Sequence, residues 1–410
     1  MIPINSIAGF LWSLNASVMP KLIPYLFLPF MLSRIGEAGM GYLGASYSII
    51  TIMSLIVGFQ SFNYLNKFWA TFKVEERIVA IRNILIGCIF ICLVFSVLFL
   101  PIKSLFTILN HFTFIHWFAI LITSLWLSIY SILSVVYQFR GEHKKIAMFS
   151  SSYVIFHYFF GCSVLVFLES SNWEIMIYVQ SLVAAFLSII AIKKLIGPIK
   201  YKIKKNVINE IISFSWPLVI HSVGLAMITS FDKIFLLAKF GAAQTGYYFV
   251  ASMIGMSLNL IHEAALRLWN PYFYRTIKEN KKTERIKKYI HYYSLSSIFF
   301  FLIFVSLVWI GNSYINFFDK KQVLIIIIVA LAYSVESVRK LYAGFFIVDK
   351  RTLFLAFHTI TGTIVMLFFN FFFFESLGVL TPAVAMLAGF TSIVFIKLCT
   401  VRSLISYNAR

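Results

Sequence analysis

This sequence is poor in charge. Asp, Glu, Lys and Arg supply 12% of its 410 residues, against 60% hydrophobic ones. A soluble domain carries about 25% charged side chains. Too few polar groups remain to cover a water-facing surface, so the bilayer must be the solvent for most of the chain. No long polar stretch is present, which excludes a sizeable soluble domain. Acidic residues are scarcer than basic ones, 15 against 35, for a net charge of +20. In a soluble protein that balance would point to nucleic acid. Here it fits the Lys and Arg excess on the cytoplasmic side of a membrane, and no nucleic-acid partner is expected.

Other absences narrow the function. No GxxxxGK[ST] occurs, so ATP is not bound by a P-loop. Neither HExxH nor a GxSxG nucleophile elbow is present. The four cysteines, Cys88, Cys92, Cys162 and Cys399, lie in or at the end of apolar runs and make no zinc-type cluster. They read as small packing residues, and no metal or cofactor is expected. The N-terminal run lacks a basic n-region and is interrupted by Pro20, Lys21 and Pro24, so it does not read as a signal peptide. The longest outer connection, about 102–115, is too short for an enzyme working on external glycan polymers. The chain is therefore not expected to be an enzyme, and ion gradients, the membrane potential or the substrate's own gradient must drive any transport.

What is present is a succession of apolar runs. At about 20 residues per span, helices are expected near 8–32, 42–66, 83–101, 116–138, 147–168, 175–196, 213–238, 247–268, 291–312, 322–348, 353–374 and 379–400, which makes twelve. With the N-terminus in the cytoplasm, the opposite connections hold only Arg34, Lys103, Lys239, Lys320 and Lys321. Lys21, Lys233, Arg339 and Lys340 fall inside spans, and the other 26 of the 35 basic residues, Lys397 among them, go to the cytoplasmic side. This asymmetry predicts a multi-pass membrane protein with both termini in the cytoplasm. The 45 Phe residues, including Phe368, Phe369 and Phe371 to Phe374, read as lipid-facing.

The chain also repeats itself. LSRIGEAGMGY from Leu32 to Tyr42 matches LAKFGAAQTGY from Leu237 to Tyr247 at Leu, Gly, Ala, Gly and Tyr, with Arg34 meeting Lys239. The offset of 205 is half the length, and each segment joins the first and second helix of its half. Two parallel six-helix lobes follow, residues 1–205 and 206–410, around a central cavity. This is a transporter architecture.

Charges inside a bilayer are costly and usually functional. Lys21 lies near the middle of the first helix among Pro20, Pro24 and Pro29, which leave the carbonyls of Ala16, Pro20 and Tyr25 without their usual partners. A cation on a broken helix reads as an anion site; the alternative is a packing kink with Lys21 reaching outward. Asp232 and Lys233 sit late in helix 7, with His221 eleven residues before Asp232 on the same face. That face can relay protons, or Asp232 is simply paired with Lys21 or Lys233. In helix 10 the spacing lets Glu336 reach both Arg339 and Lys340, leaving one positive charge over; the cluster is either functional or a satisfied structural group. Glu263 and Arg267 read as a structural pair. Asn63, near the inner end of helix 2 with Gln60 and Asn66, suits sugar hydroxyls or helix packing. Lys21, Lys233, Arg339 and Lys340 against Asp232 and Glu336 leave an excess of two positive charges, which suits a diphosphate.

Three segments resemble the polysaccharide-unit flippases of the multidrug/oligosaccharidyl-lipid/polysaccharide (MOP) exporter superfamily, in particular the Wzx type. They are PYLFLPFMLSRIGEAGMGYLGASYSI from Pro24 to Ile49, FSWPLVIHSVGLAMITSFDKIFLLAKFGAAQTGYYFVA from Phe214 to Ala251, and ALRLWNPYFYRTI from Ala265 to Ile277. The resemblance extends to helix count and repeat. It implies a MATE-like all-α fold and flipping of an undecaprenyl-diphosphate-linked O-antigen or capsule repeat unit by alternating access. It also implies a cationic cavity and work beside a polymerase and chain-length regulator. Such proteins often carry Arg where Lys233 stands, which keeps the charge. The rivals are another exporter of the superfamily, which would want acidic sites for cationic drugs, and a membrane O-antigen polymerase. A major-facilitator transporter would carry glycines after helix 2, where this chain reads KFWATFKVEERIVAIR.

Overall fold

The computed structural model describes residues 4–69, 72–105, 111–196, 205–266, 283–348 and 352–408. Regular structure among them is helical throughout, as a chain in hydrocarbon requires when each backbone group must be bonded internally. The helices are α1 (Ile4–Val57), α2 (Phe62–Phe68), α3 (Val74–Val97), α4 (Phe99–Leu105), α5 (Phe114–Phe139), α6 (His143–Phe167), α7 (Glu174–Ile196) and α8 (Lys205–Met256). After a turn at Ser257, α8 continues over residues 258–266. Then come α9 (Thr283–Ile315), α10 (Lys320–Val348), α11 (Thr352–Phe372), the short α12 (Phe374–Leu377) and α13 (Thr381–Asn408). Ten of the helical runs among the described residues are long and apolar enough to cross a membrane. Two of those ten are each broken at one glycine, so the total agrees with about twelve spans.

Those glycines are the repeat partners. Gly36 stands at φ 67°, ψ 179° inside α1, and Gly241 at φ 78°, ψ 178° inside α8. This is a backbone region that only glycine occupies without strain. A Cβ at either position would meet nothing within 4 Å, so the requirement is conformational and not spatial. The repeat is thus written into the backbone as well as the sequence. Tyr42 and Tyr247, also repeat partners, each tie the second segment to a connection in their own unit. Tyr42 stacks on Trp173 at 4.9 Å. Tyr247 donates its hydroxyl to both Asp319 oxygens, at 2.6 and 2.7 Å.

The chain divides into two compact units, Met1–Val223 with Gly241–Ala243, and Gly224–Phe240 with Gln244–Arg410. In the first, α1 packs on α5 and α6, and α7 on both of these. Hydroxyls bind the helices. Ser124 and Ser128 of α5 donate to the Ile50 and Ser54 carbonyls of α1, at 3.2 and 3.0 Å. Just beyond, the expected continuous helix 42–66 proves to be interrupted. Residues 58–61 form a turn with Phe59 and Gln60 at φ 46° and 49°, before α2 resumes. In the second unit α13 packs on α10 and α11, and Gly362 and Gly389 let α11 and α13 touch. A Cβ on Gly362 would lie 2.8 Å from the Gly389 carbonyl oxygen, and one on Gly389 would lie 3.0 Å from that of Gly362. Ile228, Leu236, Tyr248, Met366 and Phe390 form the core here.

Large apolar side chains face outward in both units, among them Phe90, Val97, Phe167 and Trp309, as lipid-facing surface should. Phe368, Phe371 and Phe372 are exposed, whereas Phe369 packs against the core and Phe374 meets Phe235. Cys88, Cys92 and Cys162 are buried packing residues, but Cys399 is exposed. It stands on the side of α13 away from the buried positions.

Candidate functional site

The second unit holds most of the buried charge. On α8, the Lys233 ammonium lies 2.7 and 2.8 Å from the two Asp232 oxygens. Asp232 is buried and Lys233 nearly so. Of the sequence alternatives for Asp232, the geometry puts its carboxylate on Lys233. His221 is half-buried on the same helix and falls in the first unit, whereas Asp232 falls in the second.

On α10 a single carboxylate serves two cations. Glu336 Oε1 accepts from Arg339 Nη2 at 2.8 Å, and Oε2 lies 3.0 Å from Lys340 Nζ. The sequence left one positive charge over here, and the structure corrects that count. Glu263, on residues 258–266, lies 3.5 Å from the same Lys340 ammonium, and Lys340 donates to Asn259 Oδ1 at 3.4 Å. Glu263 therefore belongs to this cluster; Arg267, its expected partner, lies outside the described residues. A polar layer surrounds the group. His262 Nε2 is 3.1 Å from Ser334 Oγ, and Ser297 Oγ is 3.2 Å from Ser337 Oγ.

Lys397 requires a second correction. The charge count assigned it to the cytoplasmic side although the expected span 379–400 includes it; it lies within α13 and is 0% exposed. Its Nζ has no hydrogen-bond partner among the described residues. Arg339 and Glu336 on α10 are its charged neighbours, and it also acts electrostatically on His358 of α11. A buried charge without a partner is costly. The signal that would have found it is helical periodicity. Met386, Phe390, Ile393 and Lys397 recur at i, i+4, i+7 and i+11, and all four are buried. Lys397 thus occupies a core position, which a count of basic residues by side cannot show.

In the first unit, Lys21 is exposed on α1, as are its neighbours Leu22 and Leu26. The helix runs unbroken through Pro20, Pro24 and Pro29. The Ala16 carbonyl, deprived of its donor by Pro20, accepts the Ser150 hydroxyl of α6 at 3.0 Å. One of the three freed carbonyls thus serves helix packing. Asn63 turns its amide onto the side chain of Gln60 at 3.0 Å. Adding Lys397 and Glu263 to the intramembrane charges singled out in the sequence gives five cations, Lys21, Lys233, Arg339, Lys340 and Lys397. Against these the count has three carboxylates, Asp232, Glu263 and Glu336. The excess stays at two.

The family model of polysaccharide biosynthesis proteins matches residues 6–277. A protein of the Lsg locus of Haemophilus influenzae is 21% identical over 309 residues, 71% of this chain and 70% of its own length. Among solved structures, an inward-facing multidrug-resistance MATE-family transporter of the MOP superfamily superposes with a TM-score of 0.76 at 10% identity, over 96% of this chain and 98% of that one. Lipid II flippase MurJ, in an inward closed conformation, gives 0.71 at 12% identity, over 97% and 87%. At such identities the structural likeness speaks for the fold.

Proposed function

The chain belongs to the polysaccharide biosynthesis protein family and has the fold of the MOP-superfamily transporters, and from that premise we propose that it is a lipid-linked oligosaccharide flippase. Its substrate is an undecaprenyl-diphosphate-linked repeat unit of O-antigen or capsule. It moves this from the cytoplasmic to the periplasmic leaflet of the bacterial inner membrane, with its own termini in the cytoplasm. The observation that carries this reading is the cation excess on membrane-embedded helices, centred on Arg339, Lys340 and Lys397. An exporter of cationic drugs would need the opposite sign.

In this reading the halves 1–205 and 206–410 are the lobes of an alternating-access transporter. Lys21, Lys233, Arg339 and Lys340 attract the diphosphate, and Asn63 meets sugar hydroxyls. Lys397 adds to the positive field from within. Asp232, His221 and Glu336 are the groups available for coupling to an ion or proton. A polymerase and a chain-length regulator take up the product. Moving two negative charges outward runs with an inside-negative potential. At about 2.3 kcal/mol per charge per 100 mV this assists by roughly 4–5 kcal/mol.

The test is deletion of the gene in its own strain, with surface polysaccharide and lipid-linked intermediates measured together. Loss of surface repeat units with single lipid-linked units held inside is expected. A surviving band of core plus one unit would point to a polymerase instead, and an unchanged surface with altered drug sensitivity to an exporter. In complementation, Lys21→Ala should impair transport more than Lys21→Arg at equal membrane insertion. Full activity of the alanine variant would remove Lys21 from the site.

A further inference from the structure

The first unit contains a cavity of about 570 Å³, within the size range of small-molecule sites. Its walls come from three places: Val57 and Phe59 where α1 breaks, Ile84 and Gly87 on α3, and Ile208 and Ile211 at the start of α8. Two local features hold it open. The turn at 58–61, with Phe59 and Gln60 at positive φ, ends the straight course of α1. Gly87 presents no side chain, and a Cβ there would meet nothing within 4 Å. Protein interiors are otherwise close-packed, and a hydrocarbon-lined void of this size does not hold water well. It calls for an apolar occupant.

One helical turn beyond the lining residues Ser61 and Ile211 the character changes. Tyr64 of α2 donates its hydroxyl to Glu210 of α8 at 2.8 Å, which ties these helices together. Beside this bond the Lys67 ammonium lies 4.5 Å from the Phe214 ring and 5.0 Å from the Phe68 ring. On α3, Ile86 and Phe90 line the cavity and are also exposed, so its mouth opens towards lipid. An apolar chamber with a cation about two helical turns beyond it matches an amphiphile with a hydrocarbon chain and an anionic head.

We propose that this cavity seats the stretch of the substrate's polyprenyl chain beyond its first two isoprene units, with the phosphate end towards Lys67, about 9 Å of helix rise from the lining residue Ser61. This rests on the flippase reading. Under it, the end of α1 and the starts of α3 and α8 lie on the cytoplasmic side, where the loaded carrier lipid is presented. A polyprenyl phosphate brings one chain to one head group. A phospholipid brings two.

The experiment measures binding of undecaprenyl phosphate, and of the short-chain citronellyl phosphate, to the purified full-length protein, with phosphatidylglycerol as competitor. Gly87→Phe fills the cavity from a position where the new side chain has room. Gly311→Phe, at another helical glycine with open space, is the control outside the cavity. The wild type should prefer the long chain and resist phosphatidylglycerol. Gly87→Phe should weaken undecaprenyl phosphate about tenfold, the contribution of about two buried methylene groups, and spare citronellyl phosphate. Lys67→Gln should weaken both. Thermal melts matched to wild type establish that the variants fold. Equal binding of undecaprenyl phosphate by wild type and Gly87→Phe, or equal competition by phosphatidylglycerol, overturns the assignment. The probes carry no sugar, so the outcome is separable from the function test. Chain-length selection without trapped repeat units in the deletion strain would sink the flippase reading and leave the cavity. Trapped units without chain-length selection would do the reverse.

Discussion

Lys397 is fully buried with no hydrogen-bond partner among the described residues, and this sets up a substitution that should separate stability from transport. Lys397→Met keeps an unbranched stem of similar length and removes the charge. The attraction available to offset the burial of the ammonium is weak. Its carboxylate neighbour Glu336 already serves Arg339 and Lys340, and Arg339 repels it. An unsatisfied buried polar group costs about 1–3 kcal/mol, and ions cost more. Methionine should therefore stabilise the second unit by about 1–3 kcal/mol. In a thermal melt of the detergent-solubilised protein this should appear as a rise of a few degrees. The same variant, in the deletion strain, should restore surface polysaccharide poorly, because the cation excess falls from two to one. Lys397→Ala should melt lower, since it leaves a void. A methionine variant that melts well below wild type would refute the account of Lys397 as an unsatisfied charge. One that melts higher yet complements fully would refute its part in transport.

Gly36→Ala and Gly241→Ala should each destabilise by about 1–3 kcal/mol from backbone strain alone, whereas Gly311→Ala in a helix should be neutral or stabilising; equal melts for all three would contradict the conformational argument. Ser150→Ala should cost about 0.5–1 kcal/mol by leaving the Ala16 carbonyl unpaired, and an alanine at the neighbouring exposed Met148 should not. Asp319 gives a pH dependence outside the spans. Slight burial raises its carboxyl, but the Tyr247 hydroxyl, the Gln322 and Lys321 backbone N–H groups and the Lys321 charge together hold it below the ordinary carboxylate range. Its contribution is present above its unfolded pKa of about 3.9 and is lost as pH falls through the lower folded value. Tyr247→Phe should weaken that dependence below about pH 4, read from melts across pH; an unchanged profile would show that the bond does not matter to stability.

Apolar runs, charge asymmetry and repeat made the helical fold legible because the bilayer imposes them on every segment. The repeat was legible even in its backbone, since only glycine tolerates the geometry of Gly36 and Gly241. The turn at 58–61 was hidden because Phe59 and Gln60 carry no turn signature. The hydroxyls of Ser124 and Ser128, which hold the preceding carbonyls of α1, come from a helix distant in sequence. The site was harder to read because charge alone does not give depth. Glu336, Arg339 and Lys340 kept one positive charge over until folding brought Glu263 to Lys340, and Lys397, inside the expected span 379–400, was counted with the cytoplasmic charges because basic side chains normally end a span. Its place in the i, i+4, i+7, i+11 row with Met386, Phe390 and Ile393 is the stronger signal. Snorkelling can carry a lysine at a lipid-facing position to the interface, but a lysine on the core row has no such exit. In a membrane protein, a basic residue in phase with the buried stripe is therefore better read as a buried charge than as a topology signal.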